Sequence, residues 1–264
     1  MPTPHREREI AESFGVDAAR YDRTRPSYPA ALIDRLVAGI PGRSILDVGI
    51  GTGIVARQLR AAGCEVLGVE PDPRMAAFAR RAGFEVEEAR FEAWEPAGRL
   101  FDAVVAGQTW HWVEPRAGAA AAASVLRPGG RLALMWNAGQ PGPAVADAFA
   151  EVFERLMPGS PLAGVRGISA AAGYAALLDR ADEGLRAEGG FGAVERWSDE
   201  WERVYTRAEW LDQLPAQGLF TRMPPAQLAE VSAAIGAAVD AVGGSFSMHF
   251  TTLTTTAVRR ASGG

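Results

Sequence analysis

The chain lacks several features that quickly assign other proteins. It has one cysteine, Cys64, among 264 residues, so an internal disulfide is impossible and a metal site built on several thiolates is excluded. A reducing, cytoplasmic setting is the expectation, with Cys64 packed as a small apolar residue at a helix–strand turn. No apolar run approaches the ~20 residues that span a bilayer. The opening stretch "MPTPHREREIAESFG" is charged and has no apolar signal core, so a soluble protein without a membrane partner is expected. Basic residues form no block, and the net charge is −5. Nucleic acid demands a basic face and is disfavoured as a partner. What is present is ordinary: 48% hydrophobic and 22% charged residues suit a globular chain, and the length suits one large domain.

Short apolar runs alternate with helical patterns. "SILDVG", "EVLGVE", "FEVEEAR", "FDAVVAGQ" and "RLALMWN" read as strands, bounded by Gly or Pro. Between them, "IVARQLRAAG", "PRMAAFARRAG" and "PRAGAAAAASVLRPGG" repeat apolar residues at helical spacing and end at glycine. Strand and helix in alternation from about 44 to 137 predict an α/β fold, a doubly wound parallel sheet with helices on both faces. Further on, "PAVADAFAEVFERLM", "TRAEWLDQL" and "PPAQLAEVSAAIGAAVDAVGG" read as helices, and "VERWSDEWERVY" and "SFSMHFTTLTTTAVRR" as strands. The stretch from about 158 to 190 shows no clear period. The expected organisation is a lid and helix over 1–43, a core over 44–140, and a C-terminal half over 141–264 carrying a cap or insertion near 158–220, all in one domain.

The segment "DVGIGTG" sits where the first strand of such a sheet gives way to a helix. In doubly wound sheets ligands bind outside the carboxyl ends of the strands, where the strand order reverses. Gly49, Gly51 and Gly53 lack a Cβ, which permits a sharp turn and close approach of a ligand to the main chain. About 20 residues on, Glu70 ends the second strand with a carboxylate able to grip two ribose hydroxyls. A nucleoside ligand follows. The dinucleotide fingerprint places its third glycine where Ile54 stands, and Asp47 lies two residues before the first glycine. A carboxylate there disfavours a pyrophosphate and favours an ammonium or sulfonium.

With "DVGIGTG", "VEPDPRM", "ARFEAW", "FDAVVAGQTWHWVEP" and "LRPGGRLALMWN" in this order, the chain resembles the class I S-adenosylmethionine-dependent methyltransferases over about residues 12–138. It is most similar to the small-molecule type related to trans-aconitate and quinone C-methyltransferases. The resemblance implies a Rossmann-like, seven-stranded, mainly parallel sheet whose last strand is antiparallel, with 44–140 as the S-adenosylmethionine-binding core. It implies that Asp47, Gly49, Ile50, Gly51 and Gly53 surround the methionine part and ribose, that Glu70 binds the ribose hydroxyls, and that Pro71 and Met75 flank the adenine. Arg90 replaces the usual acid or Thr after the third strand, so Phe91 and backbone would meet the adenine, with Glu92 as the matching acid. Gln108 would touch the cofactor, and Tyr21, Arg25 and Tyr28 form a lid, Arg25 or a tyrosine hydroxyl holding the cofactor carboxylate. The Asn/Asp-Pro-Pro-aromatic motif of base-modifying enzymes is absent, and "GQTWHW" takes its place.

Methyl transfer from a sulfonium is an in-line displacement that gains most from alignment. A base is needed only if the nucleophile must lose a proton. His111 is then the candidate catalytic residue, with a structural role in the pocket wall as its alternative. His5 lies near the start, and His249, alternating with apolar neighbours in the last strand, is expected to be packed. Trp110, Trp112 and Trp136, with Asn137, are expected to wall an apolar acceptor pocket. Trp197, Trp201 and Trp210 read as core or interface. The expected activity is methyl transfer to an O, N or C atom of a small, fairly apolar metabolite, without a metal. A nicotinamide-dependent oxidoreductase or a non-catalytic binding protein are the alternatives.

Overall fold

The computed structural model describes residues 14–163 and 169–261, so the expectation for His5 lies outside the described residues. A short turn, Phe14–Asp17, leads into α1 (Ala18–Thr24), whose first turn is capped by the Asp17 carboxylate accepting from Arg20 N. α2 (Ala30–Ala38) buries Leu32, Ile33, Leu36 and Val37 on one face. Strand and helix then alternate: β1 (Ser44–Val48), α3 (Ile54–Ala61), β2 (Glu65–Val69), α4 (Pro73–Arg81), β3 (Glu85–Glu87), β4 (Phe101–Gly107), α5 (Pro115–Val125) and β5 (Leu126–Pro141). The second half contains α6 (Pro143–Leu156), the single turn α7 (Ala170–Gly173), α8 (Ala175–Glu188), β6 (Glu195–Thr206), α9 (Arg207–Gln213), α10 (Pro225–Ala241) and β7 (Ser245–Val258).

The strands form one seven-stranded sheet in the order β3-β2-β1-β4-β5-β7-β6. β1 to β5 are parallel, and β7 runs antiparallel to both β5 and β6. This is the doubly wound, mainly parallel sheet with an antiparallel last strand that the sequence predicts. From β1 the chain winds outward through β2 and β3, then returns to β4 on the other side of β1. The switch point therefore lies between the carboxyl ends of β1 and β4.

The apolar runs of the central strands are continuous because both faces are covered. Leu46, Val48, Val104, Ala106, Leu132 and Leu134 face one layer, which includes α5 and α8. Their neighbours Ile45, Ala103, Val105, Ala133 and Met135 face α2 and α3. Three strands also outrun the others. β5 reaches Pro141 opposite Met248, and β6 ends at Thr206 opposite Ser245, whereas β4 stops at Gly107, beside Met135. A further core sits on this overhang: Tyr205, Phe246, Met248 and Phe250 pack with Phe149 of α6, Trp210 of α9 and Val231 and Ile235 of α10. Phe149 and Trp210 stack at 5.9 Å, with the Phe246 ring edge-on to both. The overhang thus carries a helical cap at the carboxyl edge of the sheet.

Three expectations are corrected here. The stretch without clear period contains α8. Gly184 in that helix lets it approach α5 so closely that a Cβ would lie 2.5 Å from the Pro115 carbonyl oxygen. Asp182 occupies its inward face, accepting from Thr255 Oγ1 and Arg196 Nε at 3.1 Å each, so a buried polar group interrupts the apolar period. Second, the cap expected near 158–220 is divided: β6 within that range belongs to the sheet, while α6 and α10, outside it, build the cap core. Third, His249 is exposed beside Glu202 rather than packed. It is one residue out of phase with Met248 and Phe250 and so points to the opposite face.

Candidate active site

After Val48 the chain turns through Gly49, Gly51 and Gly53 at φ of 66°, 57° and 89°, a region that L side chains rarely adopt. At Gly49 a Cβ would also strike the Thr109 side chain at 2.2 Å. The turn aims Gly51 N–H at Glu70 Oε2, at 2.9 Å, while Asp72 N–H donates to Glu70 Oε1, also at 2.9 Å. The carboxylate ending β2 is thereby fixed against the loop ending β1. Burial pushes Glu70 up to about 7, against the opposing pull of these two N–H groups. Asp47, within β1, is buried more deeply. Desolvation, and then the charge of Glu70, raises it well above the usual carboxylate range, and its Oδ2 has no hydrogen-bond partner. Thr52 Oγ1 is likewise buried and unpaired.

A cavity of about 390 Å³ opens over this loop, within the range of small-molecule sites, ~300–1,000 Å³. Of the residues expected around the cofactor, Tyr21, Arg25, Tyr28, Asp47, Gly49, Ile50, Gly51, Glu70, Pro71, Met75 and Gln108 line it, as do His111, Trp112 and Asn137. Five others do not. Gly53 starts α3 in the left-handed conformation behind the wall. Phe91 is core, its ring 6.4 Å from Trp94 and 6.0 Å from Trp110. Glu92 Oε1 accepts from Glu114 N at 3.0 Å, at the start of α5. Trp110 folds back over Gly118, where only a glycine leaves room for its ring. Trp136 is 1% exposed and lies within the sheet core. Other walls come from residues the sequence reading did not select: Phe14 ahead of α1, Tyr174 ahead of α8, Trp210 and Gln213 of α9, Gln217, and Met248 and Phe250 of β7. One signal was available for two of them, the spacing of Trp210 and Gln213, three residues apart on one face of α9.

The stretch between α1 and α2 is anchored rather than loose. Gln58 clasps the Tyr28 backbone, its Oε1 accepting from Tyr28 N at 3.0 Å and its Nε2 donating to Tyr28 O at 2.7 Å. Asn137 Nδ2 donates to Ser27 O at 3.1 Å, and Thr252 Oγ1 donates to Asn137 Oδ1 at 2.6 Å. α1 itself is tied to the cap. Arg20 and Arg23 both bond Asp212 of α9, and Arg25 Nη2 donates to Ala216 O at 2.7 Å. The Arg25 guanidinium lies 4.9 Å from the Tyr21 ring centroid and 5.7 Å from that of Phe14. Gln108, at the end of β4, has φ of 55°. Its backbone N–H donates to Met135 O and its Nε2 to Asn137 O, at 2.8 and 3.0 Å. This left-handed residue, uncommon for a non-glycine side chain, lines the cavity.

His111 stands against Trp136, whose indole N–H donates to His111 Nδ1 at 3.3 Å. Desolvation holds the imidazole down to about 4. A neutral ring whose Nδ1 accepts carries its hydrogen on Nε2. Both nitrogens are then committed, and the ring offers a donor and no lone pair. Among the described residues, no cluster of three or more His, Cys, Asp or Glu could hold a metal, and no helix is long and apolar enough to cross a membrane.

Comparison with known proteins agrees with this geometry. A methyltransferase domain model matches residues 46–134, the segment that carries the glycine loop, Glu70 and His111. An uncharacterized methyltransferase of Mycobacterium tuberculosis is 40% identical over 132 residues, 49% of this chain and 54% of the relative. The chain spans about half the length of that relative. A malonyl-[acyl-carrier protein] O-methyltransferase from Enterobacter lignolyticus is 30% identical over 229 residues, covering 81% of this chain and 90% of the relative. A solved structure from Anaeromyxobacter dehalogenans, provisionally described as a type II methyltransferase, superposes with a TM-score of 0.61 at 25% identity, over 90% of this chain and 99% of that one. Glycine turn, buried acid pair, strand order and a relative matched over most of both chains converge, and the chain belongs to the class I S-adenosylmethionine-dependent methyltransferases.

Proposed function

We propose that the chain transfers a methyl group from S-adenosylmethionine to a small, fairly apolar acceptor, at an O, N or C atom. The observation that carries this reading is the pair of buried acids at the switch point. Asp47 keeps an unpaired oxygen in the cavity wall, and an unpaired buried carboxylate calls for an explanation by a partner. A cationic ligand supplies one, because opposite charge nearby favours the ionised form. Glu70 sits where two ribose hydroxyls could donate to it, and Gly49 and Gly51 leave the loop bare for close approach. The residues therefore fit the methyl donor, with Asp47, Gly49, Gly51, Glu70, Pro71 and Met75 as its holders. Glu70 would suit the ribose of a dinucleotide equally, but the second acid, Asp47, beside the glycine loop disfavours a diphosphate and with it a nicotinamide cofactor.

When bound, the donor supplies an electrophilic methyl on a good leaving group. The chain's own residues orient, exclude water and set charge. The lid residues Phe14 and Tyr21, Trp112, Tyr174 and the β7 side chains Met248 and Phe250 wall the remaining space with mostly apolar surface. His111 acts as a hydrogen-bond donor or wall and not as the base that takes a proton. Oxygen is favoured among the three acceptor atoms by two relatives named as O-methyltransferases, the malonyl-[acyl-carrier protein] enzyme and a ubiquinone biosynthesis enzyme from Xanthomonas axonopodis. The test is transfer of labelled methyl from S-adenosylmethionine to an acceptor panel. Product in the wild type and its loss in Glu70→Ala support the reading. A chain that binds neither donor nor demethylated product refutes it.

A further inference from the structure

The two edges of the sheet, β3 and β6, are built differently. β3 is three residues long, and so short an edge gives a second chain little to pair with. β6 is 12 residues long. It pairs with β7 in one unbroken register, from Glu195 opposite Thr256 to Thr206 opposite Ser245. Among the described residues no strand covers its other side. It has no proline, glycine or bulge, three devices that commonly close an edge. Val204 on this strand is 57% exposed. Charged side chains are the device that remains, and their order along the strand points to a partner.

Facing residues in an antiparallel pair turn their N–H and C=O groups either both towards the partner strand or both away. That direction alternates along a strand, so a two-fold axis relating two copies of β6 must pass through a residue, not between two. Centred on Asp199, the strand is complementary to itself. Glu195 then faces Arg203 of the second copy, Arg196 faces Glu202, Trp197 faces Trp201, and the exposed Val204 faces Val194. Opposite charges and aromatic pairs directly across a ladder stabilise it. Other centres do worse. Glu200 at the axis opposes itself and brings no opposite charges together; Trp201 there sets Glu200 against Glu202; Ser198 there leaves Arg196 with Glu200 as the one favourable pair. A parallel pair in register would set like charges side by side. The charged side chains at 195, 196, 202 and 203 are 31–49% exposed, open to a partner. At the axis Asp199 meets its own copy, a like-charge contact that Arg35 offsets: its Nη2 lies 2.6 Å from the carboxylate and its guanidinium 4.3 Å from the Trp197 ring centroid. We propose that β6 is a homodimer interface, through which two copies of the chain pair antiparallel about Asp199 and join their sheets into one. Because β3 is too short to repeat the contact, the assembly closes at two chains.

The test is sedimentation of the full chain over a concentration series. Wild type should have twice the chain mass of 28.0 kDa at about 10 μM and above. Glu195→Arg and Arg203→Glu each set like charges opposite one another, twice per dimer, and should each raise the dimer dissociation constant about tenfold or more. An equimolar mixture of the two variants puts opposite charges back at both places and should dimerise within about threefold of wild type. Thermal melting of each variant confirms folding. Asp199→Cys reads the register independently of charge: Cys64 is buried, so mild oxidation should link two chains through position 199. A wild type that keeps the mass of one chain overturns the proposal, even if β6 then takes up an extended peptide from another protein. A dimer that both charge variants leave intact also overturns it, as does a mixture that associates no better than its components. So does a dimeric Asp199→Cys protein that gives no cross-link.

Discussion

Glu70 concentrates the chemistry of the site in one side chain. Its oxygens organise the loop through Gly51 and Asp72, and the same side chain lines the cavity. Replacing it by Ala removes charge-assisted bonds worth about 1.5–3 kcal/mol; S-adenosylhomocysteine should bind roughly ten- to hundredfold more weakly by calorimetry. Its protonation gives a second expectation. Burial raises the folded-state value from 4.5 to about 7, so the ligand-free fold holds a proton that the unfolded chain has released. Stability contributed by that proton is present on the acid side and is lost as pH climbs from 4.5 through about 7. Ligand affinity runs the other way, since hydroxyls donate best to the ionised carboxylate: it should rise towards about pH 7 and then level off, and Glu70→Gln should flatten both curves. For His111, already neutral at its value of about 4, the rate should show no break near the usual histidine range. The variant His111→Ala should lose far less than the ~10²–10⁴-fold expected for removal of a general base. At this scale the motif residues were legible because their roles are local: a turn without Cβ, an acid at a strand end. Phe91, Trp110 and Trp136 misled for the converse reason. An aromatic at a strand end can point into the core or into the cleft, and the short turns at 91–93 and 110–112 send Phe91 and Trp110 inward.

The elements show where local pattern stops being informative. β1, β2 and β4 announce themselves as apolar runs, and α3 and α4 as amphipathic segments closed by glycine. α8 hides because its inward face carries Asp182 and Gly184, whose partners, Thr255, Arg196 and the Pro115 carbonyl, lie 14 to 73 residues away along the chain. The overhang of β5, β6 and β7 hides for a related reason: strand length is set by pairing, and β5 runs on to Pro141 because β7 is there to receive it. α1 is the element whose contacts suggest movement. It meets the cap through Asp212, which its arginines hold below the usual carboxylate range. An exposed pair of this kind adds only about 0–1 kcal/mol to global stability. Asp212→Asn should therefore shift the melting midpoint little, yet hydrogen exchange across residues 18–25 should quicken severalfold as α1 detaches from α9. Exchange unchanged in that segment, with a lowered midpoint, would mean that the contact supports the fold rather than holding the lid.

For the whole molecule, the sheet is continuous where the cores are not. β5 and β7 pass from the doubly wound core, through Leu132, Leu134 and Ala257, into the cap core, through Met248 and Phe250. Two layers that share strands should not melt apart. Phe246→Ala in the cap and Leu46→Ala in the central sheet should each cost about 2–5 kcal/mol and lower the same single calorimetric transition; a separate early transition in the cap variant would show two independent units. The shared strands also make the site possible, by fixing the cap over the glycine loop at the switch point. Calorimetric titration of the intact chain with S-adenosylhomocysteine tests that claim most directly. One site per chain, with heat abolished or sharply reduced in Glu70→Ala, is the predicted result; a folded wild-type protein that gives no binding heat with either S-adenosylhomocysteine or S-adenosylmethionine, across several temperatures, would contradict it.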